Sequence, residues 1–149
     1  MKQFETVKPF GYLDIKVTDA KGIVKQEFSV PNTIVTTGKE TIASMLTTGT
    51  GSVMTHMAVG SDNTTADVID NALYVEVLRS TLDSTGLSTN PATTITYIAS
   101  FTGIDGENIS EAGIFDAGTA GTMLCRTTFT SIPLEVSDTL TINWNVVIS

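Results

Sequence analysis

The sequence predicts an all-β protein: an antiparallel β-sandwich of jelly-roll-like type with one short α-helix. Three observations lead there. About one residue in six is Thr, which suits pleated surfaces better than helices. Runs of apolar/polar alternation recur along the chain, separated by Gly- or Pro-containing connections at the spacing of a sandwich. A hydrophobic content of 41% in 149 residues is enough for one core, and with 16% charged residues it is too apolar for a disordered chain.

In residues 12–17, Leu13, Ile15 and Val17 fall on one face and Tyr12, Asp14 and Lys16 on the other, the period of a half-buried strand. A loop containing Gly22 leads into residues 23–30, where Val24, Phe28 and Val30 share a face, so the two runs read as a hairpin. Pro31-Asn32 ends it. Residues 1–30 are therefore read as an N-terminal hairpin ahead of a sandwich domain of residues 31–149. Two roles are open to it, a docking arm or a part of the core sheet.

Thr37 and Glu40 match a capping box, with Ile42, Met45 and Leu46 following at helical spacing and Gly49 placed to close the helix. A helix is expected within residues 37–46. Residues 53–59 are apolar on both faces apart from Thr55 and His56, as in an interior strand. A polar loop follows over 60–67, and residues 71–78 fit a short helix or an extended run equally well. Residues 79–84 and 93–101 read as paired strands, the second with Ile95, Tyr97, Ala99 and Phe101 on one face. Strands at 109–115, 122–129 and 138–148 complete the set. The last alternates most clearly, and a one-residue slip would expose Trp144. The expected core includes Trp144, Ile142, Leu140, Phe115 and Phe101.

The net charge of −8 disfavours nucleic acid and anionic membranes as partners, since both are met with Lys and Arg. Charge is uneven along the chain. Residues 1–40 hold six Lys against five acids, and residues 41–149 hold two Arg against eleven acids. Lys16, Lys21 and Lys25 are thus the candidate docking residues for an acidic partner surface. The first residues lack the apolar run of a secretory signal, and no stretch approaches the length of a membrane span, so a soluble, non-exported protein is expected.

Chemistry is sparse. His56 is the single histidine and Cys125 the single cysteine, so no intrachain disulfide can form. A nucleophile elbow is absent, and His56 falls inside a strand as a structural histidine would. Cys125 and Arg126 should point to opposite faces, leaving an inert thiol. Asp62, Asp67 and Asp70 crowd one loop, and Asp105, Glu107, Glu111 and Asp116 another, but neither has the ligand spacing of an EF-hand. Both read as solvated acidic loops. Glu111 with Arg79 or Arg126 is a candidate buried ion pair. No catalytic residue, cofactor or metal is expected.

Several blocks read together resemble a family of small structural proteins of tailed bacteriophages, described as tail-fibre, head-decoration or virion proteins. They are Pro31-Asn-Thr-Ile-Val-Thr-Thr-Gly38, His56-Met-Ala-Val-Gly-Ser-Asp-Asn-Thr-Thr65, the run from Leu73 to Arg79, Ile109-Ser-Glu-Ala-Gly-Ile-Phe-Asp116, Gly121-Thr-Met-Leu-Cys-Arg-Thr-Thr-Phe129 and Ser137-Asp-Thr-Leu-Thr-Ile-Asn-Trp144. The resemblance implies architectural roles only and offers no catalytic residue. It implies a virion protein made in the bacterial cytoplasm: a capsid decoration (cement) protein working as a symmetric oligomer, a trimer, on the major capsid protein. The alternatives are a neck, baseplate or tail-fibre component, and a host-glycan-binding module. The last would need exposed aromatics, for which Tyr12, Tyr74 and Tyr97 are the candidates.

Overall fold

The computed structural model of the chain describes residues 8–148. Ten strands form two five-stranded antiparallel sheets, with one helix. In chain order they are β1 (Phe10–Thr18), β2 (Val24–Pro31), β3 (Thr33–Ile34), α1 (Thr36–Thr47), β4 (His56–Gly60), β5 (Glu76–Thr81), β6 (Ser84–Leu87), β7 (Thr94–Thr102), β8 (Asn108–Phe115), β9 (Met123–Pro133) and β10 (Thr139–Val147). Sheet A runs β2-β1-β10-β7-β6 and sheet B runs β3-β9-β8-β4-β5. Hairpins stay within one sheet, and the chain changes sheet between them, after β2, β5, β7 and β9. The expected all-β sandwich with a single short helix is the observed fold.

The core lies between the sheets. Sheet A contributes Leu13, Ile15, Tyr97, Phe101, Leu140, Ile142 and Trp144, and sheet B contributes Met57, Val59, Ala112, Ile114, Cys125 and Ile132. Four of the five expected core residues join this cluster. Phe115 is also buried, but in a second, smaller cluster with Val35, Ala58, Leu73 and Met123.

β10 is the middle strand of sheet A, paired along its whole length with β1 on one side and β7 on the other. Trp144 stands opposite Leu13 and Tyr97 and is fully buried. Its indole N–H is enclosed without an acceptor among the described residues, a cost that truncation removes. Trp144→Ala should therefore destabilise by about 3 kcal/mol, the low end for a large buried aromatic, in urea-unfolding measurements. A loss under about 1 kcal/mol would contradict its packing role.

One open alternative is decided and two expectations are corrected. β1 is an interior strand of sheet A, between β2 and β10, with Leu13 and Ile15 fully buried. The hairpin is thus continuous with the sandwich from Phe10 onward and is not a detachable arm; the first seven residues of the 1–30 segment lie outside the described residues. The run at 79–84 is divided, since β5 belongs to sheet B and β6 to sheet A, with the chain crossing at Leu82 and Asp83. The helix begins at Thr36 without the capping box: Val35 is the N-cap, and the Thr37 hydroxyl donates to the Met123 carbonyl at 3.0 Å. A tertiary acceptor has taken the group that local spacing assigned to capping. Gly49, at φ +65°, follows the C-cap Thr48 and turns the chain away, as a left-handed residue there does. Gly38 lies against the Leu124 backbone so closely that no Cβ fits, which lets α1 rest directly on β9.

Candidate functional site

Sheet B is covered on both faces, which accounts for the burial of β8 from Ile109 to Phe115. Its inner face meets sheet A. Its outer face lies beneath the loop of residues 61–75, where Leu73 packs over Gly113 so closely that a Cβ added there would come within 3.1 Å of it. Between this loop and the sheet sits Arg126, completely buried.

Arg126 holds the loop by ionic contacts. Its Nη2 and Nε donate to Glu111 Oε2 at 2.8 and 3.0 Å, and its Nη1 donates to Asp70 Oδ2 at 2.9 Å and to the Thr64 carbonyl at 3.1 Å. Asp62 reaches Nη2 at 3.9 Å. The guanidinium carbon lies 4.3 Å from the centre of the Tyr74 ring. Glu111 and Asp70 outnumber the single cation, and backbone donors offset the excess negative charge. Val75 N–H and Tyr74 N–H donate to Glu111 at 2.8 and 3.2 Å. Asp67 N–H donates to Asp70 at 2.9 Å, and the Tyr74 hydroxyl donates to it at 3.0 Å. That hydrogen bond raises the Tyr74 pKa, because the neutral phenol is the donor. Asp62 is held below the usual carboxylate range by bonds from the Thr64 side chain and backbone, with Arg126 adding to the effect.

Of the two arginines offered to Glu111, Arg126 is therefore the partner. Arg79 instead closes the 117–120 turn by donating to the Ala117 and Ala120 carbonyls at 2.9 and 2.8 Å, stacks 3.8 Å from the Phe115 ring centre and pairs with Glu76. Asp70 and Glu111, read from sequence as parts of solvated loops, are buried in the lock. The two acidic groups meet only through these residues on Arg126, since Asp105 and Glu107 stay exposed and Asp116 accepts from Thr122 N–H at 2.6 Å. Among the described residues no group of three or more His, Cys, Asp or Glu is placed to hold a metal.

His56 opens β4 with its Nδ1 2.8 Å from the Thr55 hydroxyl, and Cys125 is fully buried with its pKa raised well above the ordinary thiol value by desolvation. Tyr97 points into the core, where burial pushes its pKa up to about 12.

The three candidate docking lysines divide. All three are exposed, but Lys25 also donates to Asp138 at 2.8 Å and lies 3.9 Å from Glu135, so it ties β2 to the turn before β10. Its side chain is 37% exposed, and its ammonium is already paired with a buried carboxylate. The contact raises the Lys25 pKa and lowers that of Asp138, each chiefly through their mutual hydrogen bond. Because the folded Asp138 titrates below its unfolded value, its contribution is complete above roughly pH 4 and fades as pH falls through the lower folded pKa. Asp138→Asn should lose stability against the parent at pH 7, and the gap should close on acidification in urea titrations. A gap that persists unchanged at strongly acidic pH would contradict this.

Sequence reasoning passed over the apolar surface across α1. Leu46 is 83% exposed and Ile69 78%, with Met45, Val53 and Val68 also exposed. Leu46 and Val68 line one groove beside the helix, with Ile34, Ile42 and Ala43, and Met45 and Val53 line another on its far side. Part of the signal lies in Met45 and Leu46, which helical spacing groups with Ile42 on one apolar face, although of the three only Ile42 packs against the core.

The fold and these features define an all-β sandwich whose second sheet is sealed by an ionically locked loop. No protein-family model matches the chain, and comparison with curated proteins and with solved structures likewise finds no match. No helix among the described residues is long and apolar enough to cross a membrane.

Proposed function

We propose that this chain is a structural protein of a tailed-bacteriophage virion, a capsid decoration (cement) protein that works as a symmetric oligomer, a trimer, on the major capsid protein. The observation that carries this reading is the exposed apolar surface across α1, held on a stiff sandwich. Large apolar side chains facing water are stabilised by a partner that covers them. The sequence blocks between Pro31 and Trp144 that resemble phage structural proteins supply the class of partner. The lock around Arg126 fits an architectural role, since its charged groups are consumed in holding a loop rather than facing a cleft. A small oligomer across capsomer boundaries would add buried interface at each junction without covalent bonds. The reading involves no reaction, cofactor, nucleic acid or membrane. A neck, baseplate or tail-fibre station would use the same surface as an adaptor.

The test is co-sedimentation with particles lacking this protein. Leu46→Asp combined with Ile69→Asp should reduce attachment at least about tenfold, as loss of apolar contacts at an interface centre does, while leaving the melting temperature unchanged. Attachment equal to that of the parent would overturn the reading. A density map of the particle would then distinguish a head station from a tail station.

A further inference from the structure

The outer face of sheet A carries a row that neither the core nor the α1 surface explains. Register places Pro31, Tyr12, Asn145, Thr96 and Gly86 side by side on β2, β1, β10, β7 and β6. The next row inward along the strands, Leu13, Trp144 and Tyr97, points into the core, so this row points out. Phe10, two residues from Tyr12 on the same strand face, is 51% exposed and Tyr12 41%. Two aromatic side chains therefore lie on this face along β1, between β2 and β10.

Beside them the polar groups are held in position. The Thr96 hydroxyl donates to Asn145 Oδ1 at 2.8 Å, which fixes the amide and leaves its Nδ2 hydrogens without a partner among the described residues. Gly86 has open space where a Cβ would stand, so the row ends in a shallow step. None of the five residues is charged, in a chain with net charge −8. Charges on this face begin one row away at Asp14, which is already bonded to Ser29.

We propose that this row is a binding surface for an uncharged, hydroxyl-rich glycan. The apolar face of a pyranose ring stacks on Tyr12 and Phe10, and a ring hydroxyl accepts from Asn145 Nδ2. Neighbouring strands are about 4.8 Å apart, close to the length of one pyranose unit, so a chain laid across the strands meets one strand per sugar. Size and charge favour this occupant over a second copy of the protein. A row one or two residues wide is far short of the roughly 800 Å² per partner of a stable protein interface, and the absence of charge along it suits an uncharged ligand. The proposal does not depend on the virion reading, since it concerns the opposite sheet from α1 and is tested on the isolated protein.

Maltohexaose, N-acetylchitohexaose and hexagalacturonate serve as probes, with ¹⁵N amide shifts as the readout. At least one neutral probe should shift the amides of Tyr12, Asn145 and Thr96, and the anionic probe should bind more weakly. Tyr12→Ala should weaken that binding about tenfold, Tyr12→Phe should retain it, and both variants should melt as the parent does. Absence of shifts with both neutral probes at millimolar concentration would overturn the proposal. So would shifts confined to another face, binding of hexagalacturonate as tight as that of the neutral probe, or binding unaffected by Tyr12→Ala.

Discussion

Deletion of residues 2–30 is expected to abolish cooperative folding. β1 fills the position between β2 and β10, so its removal takes away Leu13, Ile15 and Val17 and leaves the central strand β10 with one bare edge. Each of the three buried side chains contributes roughly 1.5–3 kcal/mol, so together they approach the whole stability of an ordinary domain, about 5–15 kcal/mol. The exposed edge also presents unpaired N–H and C=O groups that invite aggregation. Far-ultraviolet circular dichroism and a thermal melt of the truncated chain test this, and a sharp melt near that of the full chain would mean the remaining strands close the core alone. Charge reversal separates the lysines: Lys16→Glu and Lys21→Glu should leave the melt nearly unchanged, whereas Lys25→Glu should lower it by setting two carboxylates against each other at Asp138.

The second large effect is at Arg126. Arg126→Ala removes the single cation from a site that also holds Glu111 and Asp70, both buried, and so leaves two carboxylates without their counter-charge. Breaking one buried pair costs about 3–5 kcal/mol, and with two partners stranded the upper end is expected. The loss should appear first in the loop of residues 61–75, as faster hydrogen exchange at Tyr74 and Val75, whose N–H groups bond Glu111. Adding Glu111→Gln and Asp70→Asn to Arg126→Met should recover part of the stability, because the stranded charges are then gone. An Arg126→Ala variant within about 1 kcal/mol of the parent, or a triple variant no better than Arg126→Ala, would show that the lock is not what holds the loop.

The division between what the chain states locally and what it does not is physical. Alternation in β1, β7 and β10 fixes which side chains face inward, because a strand's period of two is a property of neighbouring residues. From that alone Phe101, Leu140, Ile142 and Trp144 are placed in one interior, where the structure has them. Gly49 likewise marked the end of α1 through its own backbone freedom.

The partners of those faces lie far away in sequence. Asp70 and Thr64 meet Arg126 from 56 and 62 residues away, so their loop looked polar and solvated until the sheet beneath it was in place. The Thr37 hydroxyl had a local role available, and the Met123 carbonyl, 86 residues on, took it instead. Lys25 counted as a free cation by composition, yet the turn before β10 brings Asp138 to it. Sequence by itself determined the all-β class and the inward faces of the clearly alternating strands β1, β7 and β10, since these follow from periodicity. Tertiary structure alone decided the sheet order, the position of β1 inside sheet A and the pairing of buried charges, because long-range closure sets which acceptor reaches which donor.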